Sequence, residues 1–217
     1  MRAPLFLLAL VAAPLAAQNP PVTKDAPDPD RRVAGGGLPA GWSGRTDRAT
    51  QNIADAKFVQ QGAGFHVTAG PPAIYWRAAN TASGNYTVRA TFTQAAPSAH
   101  PEAYGLFFGG KSLDQPNQDY AYFVVRQNGM YLIRHRAGAE THTIVDWTAH
   151  PAIKQVAAGG APAVNDLQVR FTADSAHFMV NGQTVKSTQR IGADGIYGVR
   201  VNHNLDVQVD NFGVTRP

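Results

Sequence analysis

The sequence predicts an all-β protein, a two-sheet antiparallel jelly-roll sandwich, and three observations carry that prediction. From Asn85 onward, short runs alternate between apolar and polar positions and are rich in aromatic and β-branched residues, the pattern of strands with one buried face. Polar turn residues separate the runs, and two of the turns are Asn-Gly pairs. No helical periodicity lasts beyond about two turns, and only Ala49 to Phe58 offers a short helix.

The elements follow in order. Asn85-Tyr-Thr-Val-Arg-Ala-Thr-Phe-Thr93 alternates with period two, and Ala103 to Phe108 is a second strand. Tyr120 to Gln127 and Met130 to Arg136 flank Asn128-Gly129, a strong two-residue hairpin signal because both central residues of that turn need φ > 0. Thr143 to Thr148 follows, then Asp166 to Thr172 and Ala176 to Val180. Asn181-Gly182 turns the chain into Gln183 to Ser187, and Ile196 to Asn202 and Val207 to Val214 close the domain. About ten short strands joined by polar turns fit a sandwich better than an α/β fold.

The N-terminal stretch is set apart from that domain. Met1-Arg2, the apolar run Ala3 to Ala16 and the small pair Ala16-Ala17 have the layout of a secretory signal peptide cut after Ala17. The apolar run is shorter than the roughly 20 residues of a membrane span, so the expected location is secreted or periplasmic. Residues 18–41 hold Pro20-Pro21, Pro27, Pro29, Gly35-Gly36-Gly37 and Pro39 among few large apolar residues, the composition of a flexible tether. The sandwich domain is expected to occupy residues 42–217.

Composition excludes several function classes. There is no cysteine, hence no disulfide, zinc-thiolate site or thiol nucleophile. The net charge is +4, and no run of Lys or Arg exceeds two residues, so the clustered positive charge that nucleic acid demands is missing.

The C-terminal third resembles the closing half of concanavalin A-like lectin/glucanase domains. The strand Asp166-Leu-Gln-Val-Arg-Phe171, the hairpin Phe178-Met-Val-Asn-Gly-Gln-Thr-Val185, the strand Gly195-Ile-Tyr-Gly-Val199 and the closing Val209-Asp-Asn-Phe-Gly-Val214 carry that likeness. Within the superfamily the chain looks most like secreted bacterial 3-keto-disaccharide hydrolase-like domains, with laminin G-like domains as neighbours. The resemblance implies carbohydrate as partner. It also implies structural calcium at Asp210, since a closing-strand aspartate holds that ion in related glucanases and a carboxylate suits a hard cation; no other cofactor is expected.

Glucanases of this superfamily carry Glu-x-Asp-x-x-Glu on one strand, and this sequence does not; Glu102 and Glu140 stand alone. That argues against the paired-carboxylate hydrolysis of such enzymes. Asp206 and Asp210, four apart on one strand, are a weaker pair. His135, His142, His203 and Asp206 follow no metal-ligand spacing. The densest polar segment, Arg134 to His142 with Asp146-Trp147 after it, points to a sugar surface instead. With a two-residue turn at Asn128-Gly129, Tyr122 falls opposite His135 and Arg126 opposite Tyr131, all on one face. An aromatic ring to stack on a sugar, with His and Arg to bond its hydroxyls, is the chemistry of a glycan site. Tyr104 and Asn202 are expected to join from neighbouring strands. Three functions stay open: carbohydrate binding without chemistry, a hydrolase or lyase acting on oxidised sugars through a His or Tyr base, and a structural or adhesive module.

Overall fold

The computed structural model describes residues 28–217. The expected signal peptide and the first part of the expected tether, residues 18–27, lie outside the described residues.

The described residues form fourteen strands. They are β1 (Ser43–Thr46), β2 (Lys57–Gln61), β3 (Gly64–Thr68), β4 (Ala73–Ala82), β5 (Tyr86–Gln94), β6 (Ala103–Lys111) and β7 (Asp119–Arg126), then β8 (Met130–Ala137), β9 (Glu140–Ala149), β10 (Ala163–Phe171), β11 (Ser175–Val180), β12 (Gln183–Gln189), β13 (Gly195–Val201) and β14 (Asp206–Thr215). They build two seven-stranded antiparallel sheets, ordered β1-β4-β13-β6-β7-β8-β9 and β12-β11-β10-β5-β14-β3-β2. This is the expected jelly-roll sandwich. In place of the short helix, Ile53–Asp55 forms one 3-10 turn and Lys57 already begins β2. Among the described residues no helix is long and apolar enough to cross a membrane.

The inward positions of both sheets meet in one core. Phe92 on β5 lies 5.1 Å from Tyr104 on β6, Phe108 on β6 lies 5.0 Å from Phe171 on β10, and Phe123 on β7 lies 5.3 Å from Phe178 on β11. Each pair joins one sheet to the other at the centroid spacing aromatic rings prefer. A second, smaller apolar cluster covers the outer face of the first sheet, where Ile74, Trp76, Phe107, Tyr120, Tyr122 and Leu132 are buried. The outer face of the second sheet is polar along β5, where Thr87, Arg89, Thr91 and Thr93 alternate with buried neighbours. The outer face of the first sheet therefore has apolar packing of its own, whereas that of the second is polar along β5.

Two features correct the sequence reading. Asn181-Gly182 is the expected two-residue turn, with φ of 50° and 80° and Val180 paired to Gln183. Asn128-Gly129 is not. Arg126 pairs with Met130, so the loop holds three residues, Gln127 to Gly129, and only Gly129 takes positive φ, at 81°. This is the alternative hairpin, a type I turn closed by one left-handed residue, and Gly129 N donates to Arg126 O at 3.0 Å. One residue more in the loop moves the register by one, which sets every side chain of β8 on the opposite face from the one expected against β7. Tyr122 consequently faces Arg134, not His135, and Tyr131 faces Val125, not Arg126.

The second feature is the N-terminal segment. From Asp28 the chain is bonded to the sandwich, although its composition reads as tether. Gly37 N donates to Ala56 O (3.1 Å), Phe58 N to Gly37 O (3.3 Å), and Arg31 N to Asn204 Oδ1 (2.9 Å). Gly36 sits so close that a Cβ there would fall 1.8 Å from Ala54 O. A segment poor in apolar side chains is held here by backbone bonds, ion pairs and close glycine contact, none of which composition reports.

Candidate functional site

The outer face of the first sheet carries two rows of side chains that matter. In the middle row, Arg200 on β13 sits between Ile74 on β4 and Gly105 on β6. Its guanidinium is buried and grips Asp47 with two bonds, Nη1 to Oδ1 at 2.8 Å and Nη2 to Oδ2 at 2.5 Å. It also lies 4.8 Å from the ring of Tyr122, and Arg136 Nη2 donates to Asp47 O at 3.1 Å. Burial alone would raise the Asp47 carboxyl. The charge and hydrogen bond of Arg200, helped by Arg136 and Arg48, outweigh it and hold the group below its ordinary value. The bidentate geometry is the strong form of this contact, and it straps the loop after β1 across the sheet.

The next row, at the end of the face, is Asn202, Ala103 and Arg126. Asn202 N donates to Ala103 O (2.8 Å), and Ala103 pairs with Arg126. Arg126 lies over the half-buried ring of Trp147, 4.0 Å from its centroid, and Arg126 Nε donates to Asn128 Oδ1 at 3.0 Å. Burial lowers the Arg126 guanidinium from its ordinary value, with Glu102 and Asp146 pulling the other way. Glu102, just before β6, meets Asn202 Nδ2 through Oε2 at 3.2 Å and His203 Nε2 through Oε1 at 2.8 Å. The hydrogen bond to Glu102 is the largest cause raising His203 to about 9; burial opposes it, while the Glu102 charge, Asp30 and Asp28 reinforce it.

These side chains open onto a cavity of about 440 Å³ lined by Asp28, Asp30, Asp47, Glu102, Asn202 and His203, among others. Its wall offers carboxylates, an imidazole and an amide, and the Arg126–Trp147 stack belongs to the same row as Asn202. Such a surface can bond vicinal hydroxyls and stack on a ring.

The structure separates the six residues expected at a sugar surface. Arg126 and Asn202 lie together in the end row. Tyr122 is on the same face but buried beneath Arg200, at 5% exposure. Tyr104 and Tyr131 point into the inter-sheet core: the Tyr104 hydroxyl accepts from Asn165 Nδ2 at 3.0 Å, and the Tyr131 hydroxyl donates to Val185 O at 3.1 Å. Burial pushes Tyr104 up to about 12. Neither ring can stack on a sugar from there. His135 shares the inward parity of Tyr131, near the sheet edge, with Nε2 3.2 Å from Asp119 Oδ2 and its ring 6.0 Å from that of His142. The one-residue register difference explains why Tyr122 and His135 are on opposite faces.

Asp210, the expected calcium ligand, stands on the outer face of the second sheet, where Gln208 Nε2 donates to its Oδ1 at 3.1 Å. It joins no group of three potential ligands among the described residues; the group that does form is Asp28, Glu102 and His203. Asp206, the other carboxylate on that strand, is bonded to His66. Sequence reasoning missed the Asp28–Glu102–His203 group because its members are far apart in the chain, and missed Asp47–Arg200 for the same reason. Trp147 did carry a signal, lying beside the polar segment that marked β8 and β9.

The fold is a jelly-roll sandwich. A carbohydrate binding module, CBM66, from Bacillus subtilis matches with a TM-score of 0.58 at 12% identity, over 80% of this chain and 94% of that one. A Bacillus subtilis protein of unknown function with a galectin-like fold matches at 0.56 and 11%, over 81% and 89%. The carbohydrate recognition domain of Emp47p matches at 0.55 and 11%, over 87% and 93%. At such identities the likeness establishes the fold. No family model and no curated protein matches the chain.

Proposed function

We propose that the protein is an exported carbohydrate-binding sandwich that takes a saccharide at the end row of the first sheet's outer face. The observation that carries this reading is the Arg126–Trp147 stack in the same row as Asn202, which with Glu102 lines a polar cavity offering carboxylate acceptors and an amide donor for hydroxyls. Sugar sites combine an apolar ring face with a few placed polar groups. The CBM66 module and the Emp47p domain, named for carbohydrate recognition, share the fold, which supports the same class of ligand. Export follows from the layout of residues 1–17.

One observation favours chemistry as a second reading. Glu102 and His203 are hydrogen-bonded on the cavity wall, and such a pair can pass a proton to or from a bound substrate. It would serve a hydrolase or lyase acting on 3-keto sugars, in place of the His135 base the sequence pointed to.

The test is a panel of plant, fungal and bacterial glycans together with 3-keto-disaccharides, scored for binding and for turnover. Binding without turnover, weakened by Trp147→Ala, is the expected result. Turnover lost in Glu102→Gln would establish the enzyme. Neither binding nor turnover would contradict both and leave an adhesive or structural module.

A further inference from the structure

We propose that His203, Glu102 and Asp28 form a binding site for one divalent transition-metal cation, with the Asn202 amide oxygen as a further ligand. The three donor atoms lie within 4.8 Å of one another. His203 Nε2 stands 2.8 Å from Glu102 Oε1 and 3.6 Å from Asp28 Oδ2. Nitrogen and oxygen ligands bond such a cation at about 2.0–2.2 Å, which places neighbouring donors roughly 3.0–3.5 Å apart. The two observed separations bracket that span. An ion would take the place of the proton now shared between imidazole and carboxylate.

Two observations raise this group above a cluster of acidic side chains. The first is how the imidazole is held. His203 Nδ1 lies 3.1 Å from Asp30 Oδ1, so a proton on Nδ1 is fixed by Asp30 and Nε2 is the nitrogen turned toward Glu102 and Asp28, free to bind an ion once its own proton is displaced. A carboxylate behind a histidine that faces a cation is the usual support of such a ligand. The second is Asn202. Its Oδ1 is buried without a hydrogen-bond partner, while Nδ2 of the same amide meets Glu102 Oε2 at 3.2 Å. A half-turn of that amide exchanges its nitrogen and oxygen, and with an ion beside Glu102 the oxygen, now without a partner, would take the nitrogen's place. Asp28 is supported in turn, its Oδ1 accepting from Asn204 Nδ2 at 2.8 Å and its Oδ2 lying 3.0 Å from His100 Nδ1.

The donor set selects the ion. One imidazole nitrogen with carboxylate and amide oxygens suits Zn²⁺ or Mn²⁺, whereas Ca²⁺ prefers oxygen throughout. The group opens onto the cavity, which leaves coordination positions for water or a ligand oxygen. Asp28 and Asp30 also belong to the N-terminal segment, so the ion would clamp that segment to the ends of β6 and β13. This inference concerns the cation alone and does not depend on a saccharide binding nearby.

The test uses the full chain stripped with EDTA and titrated calorimetrically with Zn²⁺, Mn²⁺ and Ca²⁺. One saturable site is expected, with Zn²⁺ tighter than Mn²⁺ and Ca²⁺ weakest. Glu102→Gln should weaken Zn²⁺ by at least about tenfold, and Asp30→Asn, which among the ligands meets only the far nitrogen of His203, by about tenfold as well. His203→Ala also loosens the N-terminal segment, so the wild-type protein supplies an independent reading. Zn²⁺ should shift the Nε2 resonance of His203 in a histidine ¹⁵N spectrum and leave that of His177 in place. The absence of saturable Zn²⁺ binding overturns the proposal, as does a Zn²⁺ site unchanged in Glu102→Gln with His203 unshifted. Glycan binding measured in EDTA is a separate reading, so failure of the cation site and failure of the saccharide site are told apart.

Discussion

Replacing Asp47 with Ala tests whether the outer face of the first sheet is organised around Arg200. The Arg200 side chain is 8% exposed, and Asp47 is the carboxylate that neutralises it through two hydrogen bonds. Removing one partner of a buried ion pair leaves an uncompensated charge, at a cost of about 3–5 kcal/mol. The Asp47 side chain is itself 23% exposed, so water partly follows the loss and the lower end, about 3 kcal/mol, applies. For a domain of this size that is a fall in Tm of roughly 6–12 °C. The double variant Asp47→Ala/Arg200→Met should recover much of it, because the pair's desolvation cost disappears together with its attraction. Urea unfolding followed by tryptophan fluorescence measures all three proteins. A loss below about 1 kcal/mol in Asp47→Ala, or a double variant less stable than the single one, would refute the account. The pH dependence provides an internal check. The folded Asp47 carboxyl lies below its ordinary value of 3.8, so its contribution is complete above that value and is lost as pH falls through the folded pKa. Asp47→Ala should flatten that part of the acid limb.

Two further variants address the corrected placements. Gly129→Val should cost about 1 kcal/mol or more in a thermal melt, since a β-branched residue resists a φ of 81°; an unchanged Tm would contradict the three-residue loop. Tyr104→Ala should cost about 3–5 kcal/mol by opening a cavity beside Phe92, while Tyr104→Phe loses about 1 kcal/mol with the Asn165 contact. A Tyr104→Ala protein as stable as wild type would return that ring to the surface.

The sequence made the sandwich legible because its strands after Asn85 alternate cleanly, as in β5 and β10, where every second residue is buried. The strands before Asn85 were harder to see. In β4 the run Ala73-Ile-Tyr-Trp76 is buried on both faces, without alternation, because the outer face carries its own apolar cluster. The site was legible only in part. Arg126 and Asn202 were found by their strand positions, and they lie in the end row. Tyr122, His135 and Tyr131 depended on a hairpin register, and one extra loop residue was enough to send them to different faces. Asp28, Glu102 and His203 meet only through the sheet order and the docked N-terminal segment, which no local spacing encodes.

The central claim is that a saccharide lies against Trp147 and Arg126 at the end of the first sheet's outer face. Backbone and side-chain chemical-shift mapping of the ¹⁵N-labelled chain, titrated with the panel glycans, reads it most directly. The account predicts that the Trp147 indole N–H, the Arg126 Nε–H and the Asn202 amide move together and saturate with one affinity, while Thr87 to Thr93 on the opposite sheet stay fixed. Shifts confined to the outer face of that opposite sheet, or no saturable shifts with any glycan, would contradict it.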